Sequence, residues 1–161
     1  MTAERESLEE ALGYTFTDKT LLESALTRIA CAGENGIPKM NAMDRFAVLG
    51  DAALDTVIIE SLLAAGETDK GEITGKKIAL VNMSVFRKIA ESIRLPEYVR
   101  WGKGELRMKI WESGRVSAEC FEAVIGAVYL DGGMDAVKAV WTKCSGRMDQ
   151  IQKTIINPSE L

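Results

Sequence analysis

Asp44-Arg45-Phe46-Ala47-Val48-Leu49-Gly50-Asp51-Ala52-Ala53-Leu54-Asp55 is the stretch on which the fold turns. An apolar run follows at residues 56–65, so the twelve residues read as the start of one long buried helix carrying three aspartates. Removing an isolated charge from water costs roughly several kcal/mol unless a cation or donor compensates it. Asp44 and Asp51 are seven residues apart, which returns them to nearly the same helix face with Ala47 between them. Carboxylates so placed need something to point at.

Outward from this helix the pattern stays helical. Residues 8–12 read as a short helix closed by Gly13, and Asp18 caps a second helix whose stripe is Leu21, Leu22, Ala25 and Leu26. Residues 31–40, with Gly33, Gly36 and Pro38, read as a loop. Asn41 is the expected N-cap of the long helix, which should span 42–65. After a break at 66–71, periodicity returns over 73–94 through Ile78, Val81, Val85, Ile89 and Ile93, and Pro96 is expected to stop it. Residues 98–113, with Trp101 and Trp111, read as a basic loop with a short helical turn. Two further helices are expected at 116–130 and 134–156, separated by Asp131-Gly132-Gly133. There is no repeat and no convincing strand, so the expected fold class is all-α.

The 161 residues suit one domain with a sizeable core. No run of about 18 apolar residues is free of charge, which argues against a membrane span. The acidic start, Thr2-Ala3-Glu4-Arg5-Glu6, is unlike a signal peptide, so a cytoplasmic location is expected. Cys31, Cys120 and Cys144 lack the spacing of a zinc or redox motif and read as buried thiols. Histidine is absent. That removes Ser-His and Cys-His triads, His-ligated zinc and histidine general bases, leaving carboxylates, lysines, hydroxyls or a metal for any catalysis.

Net charge is −4, but its distribution is uneven: residues 73–115 carry ten basic and four acidic side chains, against six and fourteen in residues 1–72. Such an island is either a solvated helix face or a surface that tracks a polyanion. Glu119 and Glu122, three apart at the start of the 116–130 helix, share a face. The helix dipole alone explains an acid in the first turn, and so explains Glu119 better than the deeper Glu122. Two apolar helices each bearing carboxylates near an N-terminal end are also suited to converge on a hard cation such as magnesium, which takes oxygen ligands and keeps several waters. Gly71-Glu72-Ile73-Thr74-Gly75-Lys76-Lys77 lacks phosphate-loop spacing and reads as a capped helix start, and Gly102-Lys103-Gly104-Glu105 as a surface turn.

These motifs together resemble the nuclease domain of the ribonuclease III family. Its signature, Asn-x-Arg-Leu-Glu-Phe-Leu-Gly-Asp-Ala-x-Leu-Asp, is matched at most positions by residues 44–55. The resemblance extends in order through 8–16, 22–27, Leu80-Val81-Asn82, Leu95-Pro96-Glu97-Tyr98, 102–105 and Phe121-Glu122-Ala123 to Gly133. It implies a dimeric, all-helical endonuclease-domain fold whose two copies form a valley for double-stranded RNA. It also implies carboxylates that hold Mg2+ (or Mn2+), and products with 5′-phosphates and short 3′ overhangs.

Carried over residue by residue, the resemblance makes Asp51 and Glu122 catalytic metal ligands. It gives Glu119 a supporting place in the metal set, where the family usually has aspartate. Asp44 stands where a glutamate serves the dimer contact, and Phe46 is expected beside it in that contact. Ala47 falls where the family's second signature glutamate, a metal ligand, stands; the Mini-III branch resembles this chain in having alanine there. Lys70 replaces an often acidic residue, and Arg28 the usual histidine after Ala-Leu-Thr.

The domain is expected at 1–156 with a short tail at 157–161, and no double-stranded RNA-binding domain is expected after it. RNA contact then falls to the basic island, with Lys76, Lys77, Lys103, Arg107 and Lys109 as candidates, in RNA processing of the precursor-ribosomal kind. Two other readings stay open on the sequence. One is a ribonuclease III-like module without catalysis that binds structured RNA or a protein, motivated by Ala47. The other is a helical metal-phosphate hydrolase that consumes a nucleotide.

Overall fold

The computed structural model describes residues 2–156, with side chains over 7–149. The chain folds into α1 (Thr2–Leu12), α2 (Lys19–Ala25), α3 (Ile29–Glu34), α4 (Asp44–Ala64), α5 (Lys70–Leu80), α6 (Met83–Ser92), α7 (Lys103–Met108) and α8 (Arg115–Ile156). Short 3-10 turns at Lys39–Asn41, Leu95–Glu97 and Ile110–Ser113 join them. Among the described residues there is no strand, only an isolated bridge between Thr27 and Arg100. The expected all-α class is the one observed.

The first half of α8 is the axis of the core. Ala118, Cys120, Phe121, Ala123, Val124, Ile125, Ala127 and Val128 are all fully buried, an all-round apolar helix that only neighbours on every side can shield. α4 and α6 pack on it, α6 through Phe86, whose ring lies 5.7 Å from that of Phe121 and 6.3 Å from that of Trp141. At Gly133 (φ 76°, ψ −169°) the backbone leaves helical geometry, so 115–132 and 134–156 are in effect two helices. That φ favours glycine, and the break lies where the Gly-Gly pair predicts it.

Several expectations are corrected. Residues 31–40 are not simply a loop: Cys31 and Ala32 are the buried face of α3, and their burial is kept although Gly33 weakens the helix. Asn41 ends a 3-10 turn and does not cap α4, whose N-cap Met43 makes no side-chain cap bond. The stretch 73–94 is two helices, divided where the Asn82 side chain accepts from Val85 N–H and starts α6. Ile78 consequently leaves the apolar stripe and is 58% exposed. α6 ends at Ser92, before Pro96, through Arg94 in the left-handed region.

α4 is also not buried all round. One face, through Phe46, Gly50, Ala53, Leu54, Val57 and Ile58, meets the core. The opposite face is exposed, with Val48 at 75% and Leu63 at 55%.

Candidate active site

The site arises where α4 crosses α8. A Cβ on Gly50 would lie 1.7 Å from the Glu122 carbonyl oxygen, and one on Gly126 would lie 2.0 Å from the Phe46 carbonyl oxygen. Both approaches are to backbone, which cannot swing aside as a side chain can. Two glycines facing each other's helices therefore let the backbones touch, and Asp51, next to Gly50, is brought towards Glu122, one turn before Gly126. Gly50 and Gly126 were not singled out by sequence reasoning, although a glycine inside a helical pattern costs about 1 kcal/mol and so asks for a packing reason.

Beside the crossing is a cavity of about 490 Å³ lined by Met43, Asp44, Ala47, Val48, Asp51, Met83, Glu119 and Glu122. The four carboxylates named from the sequence all face it, and Ala47 sits among them as the helix spacing requires. Their environments differ. Asp44 and Asp51 are exposed on the outer face of α4, which corrects the expectation of buried aspartates. Glu122 is the buried acid, 7% exposed.

Burial, reinforced by the charges of Asp51 and Glu119, pushes the Glu122 carboxyl up from 4.5 to about 7. Among the described residues neither Asp51 nor Glu122 has a hydrogen-bond or ion-pair partner. Glu119, by contrast, is engaged by two guanidiniums: Arg115 Nε lies 3.2 Å from its Oε1 and Arg28 Nη1 lies 3.8 Å from its Oε2.

No group of three His, Cys, Asp or Glu side chains among the described residues is drawn together as a ready-made metal cage. The donor chemistry nevertheless suits a hard cation. Two unpartnered carboxylates face an open cavity, and burial together with the neighbouring negative charges holds one of them, Glu122, partly protonated near neutral pH. A cation that keeps most of its waters needs no more protein ligands than that.

Phe46 is 1% exposed and packs in this chain's own core, so the expected contact of its side chain with a second copy is corrected; only Asp44 of that pair offers surface. Of the candidate RNA-contacting residues, Lys76 is paired with Glu67, and Lys77 Nζ lies 3.2 Å from Asp55 Oδ2. Lys103, Arg107 and Lys109 lie exposed on α7 and at its end. Gly102-Lys103-Gly104-Glu105 is not a plain turn: it opens α7, where Glu105 Oε2 accepts from Gly102 N–H at 2.9 Å. Residues 71–77 lie in α5, capped by Asp69, whose side chain accepts from Glu72 N–H. The capped helix start expected there is present.

Comparison with known proteins matches this architecture to one class. The ribonuclease-III-like family matches residues 18–145, and the chain belongs to that family. It is 37% identical over 139 residues to Ribonuclease 3 of Pseudomonas fluorescens and 36% identical over 138 residues to Ribonuclease 3 of Bdellovibrio bacteriovorus. The two alignments cover 86% and 84% of this chain but only 58% of each relative. The chain thus spans little more than half the length of these relatives. Among solved structures, the nuclease domain of ribonuclease III from Campylobacter jejuni superposes with a TM-score of 0.77 at 32% identity, covering 86% of this chain and 94% of that one. That domain is described for structural flexibility in a region involved in dimer formation.

Proposed function

We propose that this domain is a divalent-cation-dependent endoribonuclease that hydrolyses phosphodiester bonds in double-stranded RNA and leaves 5′-phosphate ends. The observation that carries the reading is the convergence of Asp51 and a charge-starved Glu122 on one open cavity at the α4–α8 crossing, in a chain of this family without a histidine. Asp51 and Glu122 would hold the cation, Mg2+ or Mn2+, with Glu119 at the edge of the set. The chemistry such a cation supplies is acidification of a water and neutralisation of charge on the scissile phosphate.

The protein's own contributions follow from their positions. Glu122 must lose its proton to serve as a ligand, so proton and cation compete for it, and the cavity favours the cation as pH rises past 7. Asp51, exposed and next to Gly50, is fixed by the backbone contact rather than by hydrogen bonds. Met43, Val48 and Met83 give the cavity an apolar wall, which strengthens the field of the carboxylates at its mouth. The exposed cations of α7 would meet phosphates, reading the shape of an A-form duplex rather than its sequence.

Like the relative from Campylobacter, the domain would act as a homodimer, with Asp44 at the contact. Residues 1–156 would form the nuclease domain and 157–161 a tail lying outside the described residues. A role in RNA processing such as ribosomal precursor maturation, in the cytoplasm, fits this reading. No helix among the described residues is long and apolar enough to cross a membrane.

A second reading, a binding module without catalysis, is favoured by one observation: Ala47 lines the cavity where a carboxylate would complete the set. Cleavage of a perfect RNA duplex, with and without Mg2+ or Mn2+, tests both. The nuclease reading expects metal-dependent cleavage that Asp51→Asn lowers at least about 10³-fold without loss of folding, since it removes a ligand charge on which the cation depends. Duplex binding without products in either metal would establish the module instead. Ala47→Glu run alongside should raise activity if the set is one ligand short.

A further inference from the structure

The guanidinium of Arg28 is the feature of the site that the proposed chemistry leaves unused. It is 16% exposed and fixed on three sides. Its Nε and Nη2 donate to Glu105 Oε1 at 2.9 and 2.7 Å, and its Nη1 approaches Met43 Sδ at 3.4 Å. Its Cζ stands 5.9 Å from the centre of the Trp101 ring. The same Nη1 lies 3.8 Å from Glu119 Oε2. Burial works against the charge of Arg28, but the hydrogen bond and charge of Glu105, with a smaller contribution from Glu119, hold its pKa above the usual guanidinium value.

An ion so anchored does not move away to make room, unlike the 79% exposed Arg115 on the other oxygen of Glu119, whose interaction is screened and held by a flexible side chain. We propose that Arg28 is a positioning residue that claims Glu119 as its counter-ion. It thereby restricts the cavity to the Asp51–Glu122 pair and tunes its affinity for a divalent cation downward.

The physical reasoning is a matter of charge. The cavity holds four carboxylates, and a fixed positive charge beside one of them makes the potential that a cation feels there less negative. Across the 3.8 Å between Nη1 and Oε2 it also attracts that carboxylate towards Arg28. Since Ala47 supplies no ligand, Glu119 is the acid on α8 that lines the cavity beside Glu122. Whether it serves as a ligand depends on how strongly the guanidinium holds it. The inference rests on the cation site proposed above.

The test is a double-mutant cycle on Mg2+ affinity, measured by calorimetric titration of the RNA-free protein, with circular dichroism confirming the helical fold. In the wild type, Glu119→Gln should change affinity less than about threefold, because that carboxylate is already compensated. Arg28→Gln should tighten Mg2+ binding about tenfold, and adding Glu119→Gln in that background should remove the gain.

Arg28→Lys keeps a charge on Glu105 but lacks the fork that reaches Glu119. It should shift affinity the same way by a smaller factor, and it serves if Arg28→Gln does not fold. A structural role alone would give equal effects of Glu119→Gln in both backgrounds, or weaker binding in both Arg28 variants; either result overturns the proposal. Mg2+ binding that Asp51→Asn abolishes, combined with no coupling between positions 28 and 119, would overturn this inference alone. Absence of saturable Mg2+ binding in the wild type would overturn the cation site as well.

Discussion

The α4–α8 crossing and the rim formed by α5 and α7 are built on opposite principles. At the crossing, backbones touch through Gly50 and Gly126, and every residue from Phe121 to Val128 is buried. On the rim, neither α5 nor α7 buries a single residue, and apolar side chains such as Ile78, Leu106 and Met108 stand in water. The carboxylates that need fixed geometry sit on the first. The cations suited to a long, adaptable polyanion sit on the second. A hydrolytic site tolerates little displacement, whereas phosphate contacts work through charge and tolerate mobility. On the proposed function, the crossing would carry the chemistry and the rim the attachment to RNA.

The crossing is where substitutions should cost most. Gly126→Ala puts a methyl group against the Phe46 carbonyl, with no side chain to give way, and should destabilise the domain by about 3 kcal/mol or more in urea or thermal unfolding. An effect below about 1 kcal/mol would mean that the helices can part easily, and the contrast with the rim would collapse.

The next effect is on pH. Glu122 has a folded-state value near 7, above its ordinary 4.5, so the folded state binds the proton more tightly. Its contribution to stability is present below about pH 4.5 and is lost as pH rises through about 7. In EDTA the wild type should therefore lose roughly 2 kcal/mol relative to Glu122→Gln between pH 4.5 and 8. Added Mg2+ should restore part of it. Parallel pH profiles of the two proteins in EDTA would show that Glu122 is not starved of positive charge.

The rim should respond least, and through binding alone. Replacing Lys103 and Arg107 together by alanine should weaken duplex RNA binding several-fold and lower the salt slope by about 1 to 2, with unfolding midpoints unchanged. Replacing Lys76 and Lys77, already paired with Glu67 and Asp55, should do less. Equal losses from both pairs, measured by filter binding across a salt series, would erase the distinction between free and paired cations.

Much of this was legible from residue order. The 3.6-residue periodicity, the caps at Asp18 and the break at Gly133 place most helices, because these signals act within a turn or two of chain. The seven-residue spacing of Asp44 and Asp51 puts both on one face, and the Glu119–Glu122 spacing does the same on α8. Where local propensity was outvoted by packing the expectation failed. α3 forms despite Gly33, with Cys31 and Ala32 buried, and Ile78 matches a helical stripe but is 58% exposed. Phe46 is expected from the motif in a dimer contact and is buried in this chain's core.

By itself the sequence determined an all-helical chain, a chemistry without histidine, the acids that face one cavity and the alanine among them, since residue type and helical phase suffice for these. Only the tertiary structure decided which acid is buried and which is claimed. Burial of Glu122 depends on the α4–α8 crossing, and the approach of Arg28 to Glu119, beside the local contact of Arg115, joins residues 91 positions apart in the chain. Charge acts through space, and no local pattern records which distant group will stand beside a carboxylate once the helices have packed.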